Sequence, residues 1–122
     1  MKAIERLKKI VAKIELLEKI VAEFDGKISI ALQDEVKSKP AILMHIVSIA
    51  EQMKKIEDEQ NAEILQYFEK ADLRGLADVR NFITHDYDGI DLGIIENAIR
   101  YGLTNLKAIS SDVLDRHQGD KK

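Results

Sequence analysis

Apolar residues recur every three or four positions through the first part of the chain, with polar residues between them. The repeat runs through Ile4, Leu7, Val11, Ile14, Leu17, Val21 and Phe24. Such spacing places the apolar side chains on one face of an α-helix, while lysines and glutamates cover the other faces. The pattern predicts an amphipathic helix from Lys2 to about Phe24, and the repeat is too short to indicate a long coiled coil.

Turn-forming residues divide the rest of the chain into further helical segments. Asp25-Gly26 ends the first helix, and Asp86-Tyr87-Asp88-Gly89 ends a later one. The segments between such breaks have helical periodicity and predict helices over Ile28–Val36, Ser38 to about Lys55, Ala62–Phe68, Leu73 to about His85, and a last one after Asp91 through Ile109. The charged stretch from Glu57 to Asn61 is predicted to be a connection.

Three polar residues stand where helices are expected to begin. Ser38, Asp72 and Asp91 are predicted N-caps, because their short side chains can accept hydrogen bonds from the first free backbone N–H groups. Pro40 then falls in the first turn, where its missing N–H costs nothing. Four main helices with short links predict an all-α fold, an antiparallel four-helix-type bundle with one or two short extra helices. One domain is expected over residues 1–114, followed by a polar flexible tail over 115–122.

Composition narrows the classes of function. The net charge of −3 disfavours a broad basic surface for duplex nucleic acid, although a small basic cleft remains compatible with it. The absence of cysteine excludes disulfides and thiolate chemistry. The N-terminal segment alternates charged and apolar residues, which predicts neither a signal peptide nor a membrane span, and therefore a cytoplasmic protein.

The predicted helix from Leu73 to His85 departs from the amphipathic pattern. Its core stripe consists of Leu73, Leu76, Val79 and Ile83, and Arg80 falls inside that stripe. Because arginine is rarely buried alone, Arg80 requires a carboxylate, a carbonyl or a ligand phosphate nearby. A plainer interpretation is that the side chain extends along the apolar surface to water.

The opposite side of this helix carries a polar arc made of Arg74, Asp78, Asn81 and His85. Asn81 and His85 are four residues apart and can touch. Phe82 lies amid these polar side chains and is a candidate for a subunit interface. The plainer interpretation of His85 is that it caps carbonyls in the last helical turn.

The segment Val79-Arg80-Asn81-Phe82-Ile83-Thr84-His85-Asp86-Tyr87 resembles the Arg-Asn-x-x-x-His-x-Tyr signature of HepT-like proteins, which belong to the HEPN superfamily of helical, often RNA-cleaving domains. Gly75-Leu76-Ala77-Asp78 before it and Gly89-Ile90-Asp91 after it are similar to the family's flanks. Upstream, residues 46–52 resemble the family's Ile-x-x-x-Gly-Glu-Ala stretch. Glu51 matches the acid there, while Ala50 and Gln52 depart from the pattern. The resemblance covers about residues 1–109.

The resemblance implies a homodimer whose two signature helices face one cleft, and metal-independent cleavage of single-stranded RNA without a cofactor. It also implies a partner, a small nucleotidyltransferase antitoxin, which can silence such a toxin by attaching AMP to the signature tyrosine, here Tyr87. The scattered positions of His45, His85 and His117 predict no metal site.

The signature residues suit RNA cleavage that uses the substrate's own 2′-hydroxyl. His85 is the candidate proton acceptor, and Arg80 is the candidate stabiliser of phosphate charge. Asn81 could orient the imidazole or bind a base, and Tyr87 could bind phosphate or stack on a base. Glu51 is a candidate partner that aims Arg80, or else an ordinary solvated residue.

Helical geometry sets one condition on this site. Arg80 and His85 lie about 140° apart on an ideal helix. They can meet only through the length of arginine, a distorted helix end at Asp86, or a second subunit, which favours a dimer-interface site. Two other interpretations stay open: a catalytically silent partner of a nucleotidyltransferase with Tyr87 as its target, and a plain structural dimer.

Overall fold

The computed structural model describes the backbone of residues 2–120 and the side chains of residues 2–117, so Met1 and residues 121–122 lie outside it. All regular structure in residues 2–120 is helical, which confirms the all-α prediction. The elements in chain order are α1 (Lys2–Ala22), α2 (Ile28–Ala31), α3 (Ser38–Asp58), α4 (Ala62–Leu65), α5 (Lys70–His85), a 3₁₀ turn (Tyr87–Gly89), α6 (Leu92–Asn97), a π-helical segment (Ala98–Leu103) and α7 (Thr104–Asp120).

The long helices pack around a common core. Since α6, the π-helical segment and α7 follow one another without a break, they form one long final helix. Helix α1 packs against α3 and α7, and α5 packs against α3 and the π-helical segment. Arg6 near the start of α1 pairs with Glu59 just beyond α3 at 2.8 Å, and Lys107 near the start of α7 pairs with Glu18 near the end of α1 at 2.8 Å. Both contacts require these neighbouring helices to run antiparallel.

Aliphatic side chains fill the core, as the apolar periodicity predicts. The largest fully buried side chains are Leu7, Ile10, Ile14, Leu17, Leu32, Ile42, Leu43, Ile46, Ile49, Met53, Ile56 and Ile95. On α1 the predicted stripe is slightly rotated, because Ile10 is fully buried whereas Val11 is only half-buried. Phe24 lies beyond the end of α1, where Asp25 (φ 57°) and Gly26 (φ 77°) adopt the left-handed conformation that ends the helix.

The start of α3 corrects two predictions. The prediction of Ser38 as N-cap is wrong, because its hydroxyl donates to Asp34 Oδ2 at 3.1 Å instead of accepting from the helix. The capping acceptor is Asp34, whose carboxylate accepts from the backbone N–H groups of Val36 at 3.2 Å and Ser38 at 3.3 Å. This turn also explains why α2 ends at Ala31 and not at Val36, since a side chain that binds local N–H groups competes with the helix.

The last two long helices also differ from expectation. Helix α5 begins at Lys70, so Asp72 is not its N-cap, and the Asp72 carboxylate instead accepts from Asn105 Nδ2 at 3.3 Å. Asp91 is the predicted cap of the final helix and accepts from Gly93 N–H at 2.8 Å. That helix continues past Ile109 to Asp120, while the flexibility expected of residues 115–122 stays a prediction.

Candidate functional site

Helix α5 carries most of the candidate site. Leu73, Val79 and Ile83 are buried against the core, as predicted for this stripe. Arg80 is half-buried at its edge, and Asn81 and His85 are exposed. The buried stripe fixes the rotation of α5, and therefore decides which signature residues face outward.

The Arg80 guanidinium is not held by a carboxylate. Its Nη1 donates to Asn81 Oδ1 at 3.2 Å, and among residues 2–117 no Asp or Glu pairs with it. On an α-helix Asn81 lies about 100° and His85 about 140° round from Arg80. The guanidinium is therefore turned toward Asn81, with N–H donors left for an anion.

The end of α5 sets the position of His85. The Thr84 hydroxyl donates to the carbonyl of Arg80 one turn earlier at 3.1 Å, a bond from a threonine side chain back to its own helix. Asp86 N–H still donates to the carbonyl of Phe82 at 3.0 Å, and the backbone then departs from helical geometry at Asp86. His85 is therefore the last helical residue, and the helix is regular between Arg80 and His85.

Tyr87 lies in the 3₁₀ turn that follows. Its side chain is 40% exposed, and the Lys39 ammonium lies 5.7 Å from the centre of its ring. This distance is within the range of a cation–π interaction. The Lys39 side chain is only 14% exposed, so it fixes the turn against the start of α3. Sequence patterns gave no signal for Lys39, because the contact joins residues far apart in the chain.

Glu51 lies on the exposed side of α3. Within the described side chains, no hydrogen bond or ion pair joins it to Arg80, whose guanidinium hydrogen-bonds to Asn81. A role of Glu51 in substrate binding stays a prediction.

Two cavities flank α5. One is a groove of about 450 Å³ between α5 and the final helix, with Leu76, Val79, Tyr101 and Leu106 among its mostly apolar lining residues. The other, of about 170 Å³, lies at the C-terminal end of α5. Neither is lined by Arg80, Asn81, His85 or Tyr87. These four residues therefore lie outside both cavities.

The family model for HepT-like proteins, described as ribonuclease HepT-like, matches residues 2–113. The chain belongs to the HepT-like ribonuclease family. The match to this HepT-like model runs from α1 into α7 and so includes all of α5. A search of curated proteins and a search of solved structures returned no match.

Other features of this HepT-like chain concern its histidines and surfaces. His45 is partly buried on α3, and burial together with the nearby Lys13 ammonium lowers its pKa from the ordinary value of 6.5. The side chains described for residues 2–117 contain no group of three or more His, Asp or Glu residues able to hold a metal ion. Among the helices of residues 2–120, none is both long and apolar enough to cross a membrane.

Proposed function

We propose that this chain is a metal-independent endoribonuclease that cleaves single-stranded RNA as the toxin of a type II toxin–antitoxin pair. Membership of a ribonuclease family supports the class of reaction. The observation that carries the assignment of residues is the Arg80 guanidinium, which has no carboxylate partner in residues 2–117 and hydrogen-bonds to the neutral Asn81 amide, so that its charge is available to a phosphate.

In the proposed reaction, the 2′-hydroxyl oxygen of the substrate attacks the adjacent phosphorus. His85 accepts the proton of that hydroxyl, and Arg80 binds the phosphate oxygens on which negative charge grows. The P–O5′ bond breaks, which leaves a 2′,3′-cyclic phosphate, and the departing 5′ oxygen takes a proton from solvent. Asn81 is assigned to holding the Arg80 guanidinium, with which it is hydrogen-bonded at 3.2 Å. Tyr87 is assigned to binding a phosphate or a base beside that guanidinium.

The proposed site is shared between two copies of the chain. Arg80 and His85 diverge by about 140° on a regular helix and are separated by about 7.5 Å along its axis. Among the side chains of residues 2–117, the Arg80 guanidinium hydrogen-bonds only to Asn81. A second α5 facing the first supplies the missing group to each site, as the two-fold symmetry of a homodimer allows.

Exposed apolar residues also flank the other side of α5, away from Asn81 and His85, and offer a second surface for packing between copies. Tyr101 is 67% and Ile94 43% exposed, and both line the apolar groove between α5 and the final helix. Large apolar side chains that are exposed together commonly mark an interaction surface.

The test is cleavage of a single-stranded RNA in the presence of a metal chelator, with the DNA of the same sequence as a control. The RNA is expected to be cut to products that end in 2′,3′-cyclic phosphate. The DNA is expected to stay intact because it lacks the nucleophile. Cleavage of both substrates, or of RNA by the His85→Ala variant at equal rate, would refute the assignment.

A second candidate function is a catalytically silent helical partner of a nucleotidyltransferase, with Tyr87 as the site of AMP attachment. The exposure of Tyr87 favours it, as does its hydroxyl, which has no hydrogen bond within the described side chains. Incubation with a nucleotidyltransferase and ATP is expected to add the mass of one adenylyl group to the wild type and none to Tyr87→Phe. Tyr101→Phe serves as the matched exposed control. RNA cleavage by the unmodified chain would exclude the silent version.

A further inference from the structure

The smaller cavity lies at the C-terminal end of α5, where the proposed catalytic histidine, His85, is the last helical residue. Asp86, the next residue after His85, lines it, and so does Phe82, whose ring is 52% exposed. The remaining wall comes from the 3₁₀ turn and the start of the final helix, including Ile90, Ile94 and the fully buried Ile95. The lining therefore combines apolar side chains with the carboxylates of Asp86 and Asp91.

The volume of this cavity is about 170 Å³. A cavity of roughly 150 Å³ lined by leucine, isoleucine and phenylalanine holds one benzene molecule. The space at this end of α5 thus matches a single six-membered ring, and its exposed phenylalanine offers a surface on which a planar ring can stack.

Asp86 gives this cavity one free hydrogen-bond acceptor. The Asp91 carboxylate, which also lines the cavity, is already engaged by Gly93 N–H at 2.8 Å. The Asp86 carboxylate accepts no side-chain or backbone hydrogen bond from residues 2–117 and pairs with none of their cations. The lack of a side chain at Gly89 makes room for the Asp86 carboxylate, because a Cβ added at Gly89 would lie 2.6 Å from Asp86 Oδ2.

The charge of the lining selects the part of an RNA that can enter. Asp86 and Asp91 line the cavity, Asp88 lies in the same turn, and no lysine or arginine is among the lining residues. Phosphate would be repelled here, whereas a base that presents an amino group would be attracted. Asp and Glu carboxylates accept hydrogen bonds from the N4 amino group of cytosine.

We infer that this cavity is a base-binding subsite selective for cytosine, a conclusion that rests on the proposed ribonuclease function. The pyrimidine ring lies against Phe82, and its N4 amino group donates to the Asp86 carboxylate. Uracil has the same size but carries O4 at that position, so two oxygen acceptors would face each other. The subsite places a cytidine next to the phosphate on which His85 and Arg80 act.

The test compares binding of short single-stranded oligocytidylate and oligouridylate of equal length at neutral pH. The full chain carries His85→Ala so that bound RNA is not cut. Oligocytidylate is expected to bind about fivefold more tightly, at the lower end of the range for bidentate base contacts, because the proposed contact is a single hydrogen bond. Wild-type cleavage of a mixed-sequence RNA is measured in parallel and is expected to occur mainly beside cytidines.

Three variants separate the role of Asp86 from a general effect of charge. Asp86→Asn replaces an acceptor by an amide that can also donate to O4, so the preference for cytosine should disappear. Gly89→Ala changes no charge but displaces the Asp86 carboxylate, and the same loss is expected. Asp88→Asn removes one negative charge from the same turn without altering the cavity lining, so it should keep the preference.

The outcomes distinguish this subsite from the ribonuclease function itself. RNA cleavage with equal affinity for the two oligonucleotides would overturn the subsite alone. Preference for oligocytidylate that survives both Asp86→Asn and Gly89→Ala would also overturn it, because the base would then be recognised elsewhere. Failure to bind or cleave any RNA would overturn both.

Discussion

Replacement of Arg80 by glutamine separates catalysis from stability. In a ribonuclease that relies on Arg80 to bind the developing phosphate charge, removal of this group should lower kcat/KM about 100-fold to 1,000-fold, as for loss of one oxyanion donor. The fold should hardly respond, because the guanidinium has no carboxylate partner in residues 2–117 that its loss would leave uncompensated.

The expected stability change follows from the size of the chain. Unfolding of 122 residues has an entropy of about 0.26 kcal/mol/K near the midpoint. A substitution at a half-exposed site without a charged partner changes the free energy of unfolding by about 0.5 kcal/mol or less, which shifts Tm by about 2 °C. Loss of one member of a buried ion pair would instead cost about 3–5 kcal/mol and lower Tm by about 12 °C or more.

The assays are cleavage of a single-stranded RNA and thermal unfolding at equal protein concentration. Lys70→Gln is the control, since it removes one positive charge from an exposed position of the same helix. Near-normal cleavage by Arg80→Gln, or a fall in its Tm of about 12 °C, would refute the proposed role of Arg80. The first result would show that the charge is not needed, and the second that the side chain serves the fold.

Three further predictions concern the same helices. His85→Ala should abolish cleavage while its circular dichroism spectrum and Tm stay those of the wild type, and residual activity above a tenth of normal would argue for another base. Ile10→Ala should cost about 2–5 kcal/mol in urea unfolding and Val11→Ala clearly less, since only Ile10 is fully buried. Burial and the Lys13 ammonium lower the pKa of His45. The free energy of unfolding should therefore keep the full contribution of neutral His45 above pH 6.5, and should decrease as the pH falls from 6.5 through the lower pKa of the folded state. Unfolding of His45→Gln should lack this fall, whereas His85→Gln should retain it.

Much of the fold could be predicted because it depends on local periodicity. The stripe of Leu73, Val79 and Ile83 gave the buried face of α5, and the turn residues Asp25 and Gly26 gave the end of α1. The predicted N-caps were less accurate, because Ser and Asp side chains also form hydrogen bonds with groups outside the helix that follows them. Asp34 accepts the backbone hydrogen bond at the start of α3 that was expected of Ser38, and Asp72 accepts a hydrogen bond from Asn105 of α7.

The candidate site shows the same division between local and long-range information. The outward position of Asn81 and His85 follows from the helical period and agrees with the structure. The contact of Lys39 with Tyr87 and the cavity closed by Ile94 and Ile95 depend on packing between separate helices. The π-helical segment likewise carried no sequence signal, although it supplies Tyr101 to the groove beside α5.

The shared site is tested most directly by mixing two inactive variants. Arg80→Gln and His85→Ala chains with different affinity tags are co-expressed, and dimers that contain one of each are purified. In such a dimer one of the two symmetric sites would lack both groups and the other would be intact, so about half of the wild-type activity per dimer is expected. A mixed dimer as inactive as its two parents would contradict a site built from Arg80 of one chain and His85 of the other.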